Sequence, residues 1–160
     1  MQMAGYMDFG ENISDIMGFY QDGREFAVVG LYNESAAFVD ITDPENLVEV
    51  GRIIGSTNTW RDIKYWDRHI YIGTEADDGV QVVSVNDLDH PVLVNTITDF
   101  ESSHNIHIDA NGYLYVVGAD VNDIWIYDLS SPAMPDLVGS WNGEYLHDIE
   151  VHNNKIYGAA

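Results

Sequence analysis

The chain has no cysteine among its 160 residues, so it offers no disulfide, no thiolate metal ligand and no thiol nucleophile. Cations are nearly as scarce: six Lys+Arg stand against 27 Asp+Glu, a formal charge of -21. A surface that negative repels a phosphate backbone or an anionic membrane, which sets nucleic-acid binding aside. No apolar run approaches the roughly 20 residues of a membrane-spanning helix. The opening residues MQMAGYMDFGEN carry neither the basic region nor the apolar stretch of an export signal. No stretch has helical periodicity, and there is no Gly-x-Ser-x-Gly elbow and no phosphate loop. Against these absences, 46% hydrophobic and 12% aromatic content is enough to build the core of one domain.

A repeat organises what is present. Asp40, Ser84 and Asp128 are spaced 44 and 44 apart, and Gly51, Asn95 and Gly139 repeat that step. A second landmark precedes each block: Ser14-Asp15-Ile16, Arg61-Asp62-Ile63, His104-Asn105-Ile106 and His147-Asp148-Ile149. A third lies between them, ending in Val29-Gly30, Ile72-Gly73, Val117-Gly118 and Tyr157-Gly158. Each unit holds short runs of Val, Ile, Tyr, Phe and Trp bounded by Asp, Asn, Gly and Pro, the chemistry of strands and turns. In the third unit the runs predict strands near Asn105–Ile108, Tyr113–Gly118, Asp123–Tyr127 and Asp136–Trp141.

Four strands in a period near 44 residues match a β-propeller blade, whose twisted antiparallel sheet buries both faces against its neighbours. The expectation is an all-β propeller fragment of about three and a half four-stranded blades in an open arc. Its parts are residues 1–12 as a leader or closing strand, 13–56, 57–100 and 101–143 as blades, and 144–160 as the start of a fourth. A strand at Met3–Phe9 is expected to close a missing blade. An arc left open would lean on the remainder of its own propeller or on self-association.

Phe38-Val39-Asp40-Ile41-Thr42-Asp43-Pro44 with Leu47–Gly51, and Ile126-Tyr127-Asp128-Leu129-Ser130-Ser131-Pro132 with Leu137-Val138-Gly139, resemble LVIVD repeats. Trp60–Lys64, Gly79–Val82, Ser103–Ile106 and His147-Asp148 resemble, more narrowly, the choice-of-anchor B domain family. The resemblance runs from about Asp15 to the end. It implies a β-propeller on the outside of prokaryotic cells, attached through variable terminal anchors, with no settled biochemical activity. The sequence departs from the family at Ser84-Val85-Asn86-Asp87, which replaces the Asp-hydrophobic-Ser/Thr-Asp turn, and in having neither signal segment nor C-terminal anchor.

In a propeller the leading end of each blade's first strand opens at one mouth of the central channel. Ser14-Asp15, Arg61-Asp62, His104-Asn105 and His147-Asp148 are therefore expected to ring one mouth, with Ile16, Ile63, Ile106 and Ile149 packed between blades. Arg61, Asp62, His104, Asn105, His147, Asp148 and Trp60 are the candidate ligand-binding residues, and His104, His147 and Asp148 the candidate metal ligands. The column Asp15, Asp62, Asn105 and Asp148 reads equally as turn caps or bonds between blades. Arg61 is expected to neutralise Asp62 or Asp15, or to hold a ligand carboxylate. His104 and His107 are three apart, so on a strand they face opposite sides and make no chelate. The acidic loops Glu75–Gly79 and Asp120–Asp123 carry oxygen ligands suited to calcium, or are solvated turns. Trp125 reads as core, Trp60 and Tyr145 as rim contacts.

Two functions follow. One is a non-catalytic surface propeller that binds a surface protein, a glycan or a cation, calcium or a transition metal. The other is a metal-dependent hydrolase with its site at the channel mouth. Like charge packed into one domain opposes compaction, and raising ionic strength from about 0.01 M to about 1 M shortens the screening length from about 30 Å to about 3 Å. The thermal unfolding midpoint is expected to rise across that range; a flat or falling midpoint would show that self-repulsion does not limit stability.

Overall fold

The computed structural model describes residues 3–160, and all regular structure among them is β. Fourteen strands form three four-stranded antiparallel sheets and one two-stranded sheet, each in simple up-and-down order. The first sheet holds β1 (Ile13–Gln21), β2 (Arg24–Leu31), β3 (Ala36–Asp40) and β4 (Val48–Ile53). The second holds β5 (Arg61–Trp66), β6 (His69–Thr74), β7 (Val80–Ser84) and β8 (Val92–Ile97). The third holds β9 (Asn105–Ile108), β10 (Tyr113–Val117), β11 (Ile124–Asp128) and β12 (Asp136–Trp141), within a residue of the expected runs. β13 (Asp148–His152) and β14 (Lys155–Ala159) pair as the last sheet. Of the expected leader, Met1 and Gln2 lie outside the described residues. The strand expected at Met3–Phe9 is not formed, and this segment precedes β1 as irregular chain.

Local chemistry explains the turns. Asp22-Gly23, Asp67-Arg68 and Asn153-Asn154 link first and second strands with positive φ at both central residues, the primed turn whose twist suits a tight hairpin. In the third sheet Asp109 builds the turn instead, its Oδ1 accepting from the amides of Asn111 and Tyr113 at 2.9 and 3.0 Å. After each third strand Asp40, Ser84 or Asp128 accepts from the amide two residues on, at 2.9, 3.4 and 2.7 Å. Ser84 therefore fills the role of the aspartate it replaces, with a longer bond.

The landmark Gly51, Asn95 and Gly139 marks a repeated β-bulge. The register slips opposite Phe38/Val39, Val82/Val83 and Ile126/Tyr127, leaving Val50, Val94 and Val138 without a ladder partner.

The second strand of each four-stranded sheet lies between buried layers. Along β6, Ile70 and Ile72 join Phe26, Val28 and Phe38 of the first sheet, while Tyr71 joins Leu114 and Val116 of the third. Along β10, Leu114 and Val116 face the second sheet, and Tyr115 and Val117 pack on Leu146 and Ile149. The first strands β1, β5, β9 and β13 approach one another in that order. Ile63, Ile106 and Ile149 each pack against the preceding sheet and are buried. Ile16, expected to do the same, is 65% exposed, because none of the described sheets precedes β1.

A polar clasp joins these first strands. The Ile63 amide donates to Asp15 Oδ2 at 2.9 Å, and the Ile106 amide donates to Asp62 Oδ2 at 2.8 Å. At the next boundary Ile149 donates to Asp148 Oδ1 of its own strand, at 2.8 Å. Further side chains cross the first of these boundaries: Gln21 Nε2 donates to Val85 O and Gln81 Nε2 to Ile54 O, at 2.8 and 2.9 Å. An amide stripped of its acceptor in a packed boundary costs about 1–3 kcal/mol. Asp15→Ala is expected to lower unfolding stability by that amount in urea titration, and Asp15→Asn, which keeps an acceptor, by clearly less. Equal losses would mean that the clasp is not what Asp15 contributes.

Candidate functional site

Strand alternation divides the expected ring in two. Consecutive residues of a strand point to opposite sides, so His104 and Asn105, or Arg61 and Asp62, cannot share one rim. Trp60, His104 and His147 come together on one side. Asn105 and Asp148 line a separate cleft with Lys64, His107, Glu150 and Tyr157, where His107 Nδ1 lies 3.9 Å from Glu150 Oε2.

Arg61 and Asp62 are buried in the boundary between sheets. Arg61 does not pair with Asp62 or Asp15 as expected; its Nε donates to Leu31 O at 3.0 Å and its Nη2 to Ser56 O. Desolvation lowers the proton affinity of this guanidinium, partly offset by the fields of Asp78 and Glu11. Asp62 pairs instead with Lys64 and takes the Ile106 amide. Its side chain is a fastener before it is a ligand.

The acidic loops also turn inward. Asp78 accepts from the Ser56 amide and hydroxyl at 2.5 and 2.9 Å, and Asp120 Oδ1 accepts from the amides of Glu101 and Ser102 at 3.0 and 3.4 Å. Both carboxylates tie a connecting segment to the following sheet, so these two are bonded to the protein where the sequence reading expected calcium ligands or solvated turns.

The exposed group is aromatic and imidazole-rich. Trp60, on the segment leading into β5, is 59% exposed, its amide held by Asn58 Oδ1 at 2.6 Å. Its ring centroid lies 6.3 Å from that of His104, just before β9. His104 meets His147 edge-on with centroids 5.0 Å apart, and Tyr145 packs against His147 at 5.0 Å and an angle of 79°. Glu75, just beyond β6, closes the group: its Oε1 lies 2.5 Å from His104 Nδ1. Desolvation and, second, the field of Glu75 hold the Tyr145 phenol above its ordinary range.

Backbone geometry fixes this arrangement. The His104 amide donates to Val117 O at 3.0 Å and the His147 amide to Ala159 O at 2.7 Å, so both imidazoles start from ladder-like positions. Gly118, at φ +61°, lies beneath them; a Cβ there would come within 2.5 Å of His104 Cβ and 3.0 Å of the Tyr145 hydroxyl. This position needs glycine both for its dihedral and for the close approach.

Among the described residues no three His, Asp or Glu side chains are arranged to hold a metal ion. The expected triad of His104, His147 and Asp148 is thus not assembled: the imidazoles meet, while Asp148 Oδ1 accepts from Ile149. Glu75 was not among the sequence candidates for this group. The antiparallel register contains the signal, because Arg61 pairs with Thr74 and so sets Glu75 beside Trp60. Comparison with protein-family models and with curated proteins yields no match.

Burial raises the Asp62 carboxyl above the ordinary aspartate range, with Lys64 pulling in the opposite direction. A raised folded-state value means that the folded chain holds this proton more tightly than the unfolded chain. Asp62 therefore contributes a loss of stability as pH rises from about 3.9 through its raised folded value. In urea titrations across that window, Asp62→Asn is expected to flatten this component of the pH dependence relative to the parent. A parallel pair of curves would mean that Asp62 ionises as it does in the unfolded chain.

Proposed function

We propose that the chain is a β-propeller segment of the LVIVD and choice-of-anchor B kind, acting at the cell surface as a non-catalytic binding module. The propeller reading is supported by three like-ordered sheets in sequence phase, stacked through both faces, with their first strands side by side. The surface location rests on the resemblance of the repeat motifs. The contact surface is the exposed group of Trp60, Glu75, His104, Tyr145 and His147.

One observation carries the binding reading: side chains from three successive units converge on a single exposed patch that mixes flat aromatic rings with polar tips. Such a patch suits a sugar ring, whose apolar face stacks on an aromatic while its hydroxyls reach imidazole and carboxylate. A protein carrying aromatic or cationic side chains is the competing occupant, in keeping with the acidic surface.

A hydrolase at the same place is the second reading, and the observation favouring it is the chain of contacts from Glu75 through His104 to His147, an ordered carboxylate and two imidazoles. Turnover of ester, lactone or phosphoester substrates by the parent chain, abolished in His104→Ala, would establish it over the binding reading.

The binding reading is tested by screening glycans and surface proteins against the parent chain, Trp60→Ala and Tyr145→Ala. Each substitution is expected to weaken binding of a captured ligand by roughly tenfold or more, as for a central aromatic anchor, with little change in unfolding stability. Unchanged binding by both variants would move the interface to another face.

A further inference from the structure

Two imidazole nitrogens face each other here at a distance that suits a shared metal better than a shared proton. His147 Nδ1 lies 3.5 Å from His104 Nε2. A well-formed hydrogen bond from a ring nitrogen is shorter, about 2.7–3.2 Å. Two nitrogen ligands held about 2.0–2.1 Å from a tetrahedral ion lie about 3.3–3.4 Å apart, so the present separation would have to close by only about 0.1–0.2 Å. The ring planes are inclined at 79°, with the pair on an open rim that an ion can reach from solvent.

The far side of His104 is prepared in the same sense. Glu75 Oε1 accepts from His104 Nδ1–H, which holds the ring in place and leaves the Nε2 lone pair free toward His147. His147 needs only its Nε2–H tautomer to present Nδ1 as a second ligand. The charge of -21 concentrates cations around the chain, and neutral imidazole selects borderline transition ions over calcium or magnesium, which prefer oxygen.

We infer that His104 Nε2 and His147 Nδ1 form a two-histidine site for a divalent transition metal such as Zn²⁺ or Ni²⁺, with Glu75 as its positioning residue. Two protein ligands leave the remaining coordination positions to water or to an incoming donor. Trp60 and Tyr145 flank His104, so a ligand that coordinates the ion through oxygen or nitrogen would meet an aromatic surface beside it. The site does not depend on the binding-module reading, and its test uses the metal alone.

The experiment is calorimetric titration of the chain with NiCl₂ and separately with ZnCl₂, in excess Mg²⁺ to occupy scattered carboxylates. The parent is expected to bind a single ion per chain. His104→Ala and His147→Ala should each weaken binding at least about tenfold, and Glu75→Gln by about tenfold, the usual effect of removing the carboxylate behind a histidine ligand. Far-UV circular dichroism verifies that each variant keeps its sheet content. Absence of stoichiometric binding, or its survival in the double variant His104→Ala/His147→Ala, would each overturn the site.

Discussion

Sheets that are apolar on both faces cannot stand alone, and this constraint governs the molecule. β2, β6 and β10 each send alternate side chains into two different buried layers, so every such strand needs a neighbour on either side. The stacking that results is one-dimensional, each unit touching the unit before and the unit after. It also explains why the same polar devices recur at successive boundaries. Asp15 and Asp62 reach forward to the next first strand at two successive boundaries, and Gln21 and Gln81 add bonds to backbone carbonyls in both directions across the first of them. Hydrophobic area supplies the drive for stacking, while these hydrogen bonds fix register and satisfy amides that packing has removed from water.

The few cations are placed where the acids alone would push sheets apart. Arg24 binds Asp40 within its own sheet at 2.7 Å and Asp89 of the second unit at 2.8 Å, lying also over the Phe26 ring. Arg68 returns the exchange by pairing with Asp22 of the first unit. Arg61 reaches back to Leu31 O. Three of the six Lys+Arg thus bridge the first and second sheets, where their positive charge counters carboxylates on both sides. Much of the remaining acid is spent on turns, as at Asp43 and Asp87, whose bonded carboxyls are held below the ordinary range, chiefly by the Asn46 side chain and the Asp89 amide respectively.

Placement of the exposed group follows from the same stacking. Trp60 sits before β5, Glu75 follows β6, His104 precedes β9, and Tyr145 with His147 precedes β13. First strands begin, and second strands end, at one end of each sheet, so side-by-side stacking collects these termini from three units. Connections at that end can vary in chemistry without disturbing the ladders beneath, which keeps packing and contact separable.

Four strands per unit, the position of each turn and the burial of both sheet faces could be read from the chain, because period-two alternation and Asp, Asn and Gly at turns act within a few residues. The bulge at Val50, Val94 and Val138 was visible only as a landmark, since a slip in pairing is a property of two strands. Which polar residues meet could not be read. Arg61, Asp62, His104 and Asn105 looked alike in the repeat, yet alternation sent them to opposite sides, and burial made clasps of the first two. Glu75 and His104 lie 29 residues apart, and only the stacking of one unit on the next brings carboxylate to imidazole. Local chemistry thus determined the strands and turns, whereas the composition of the rim was decided by contacts between sheets, which depend on distances that no repeat spacing encodes.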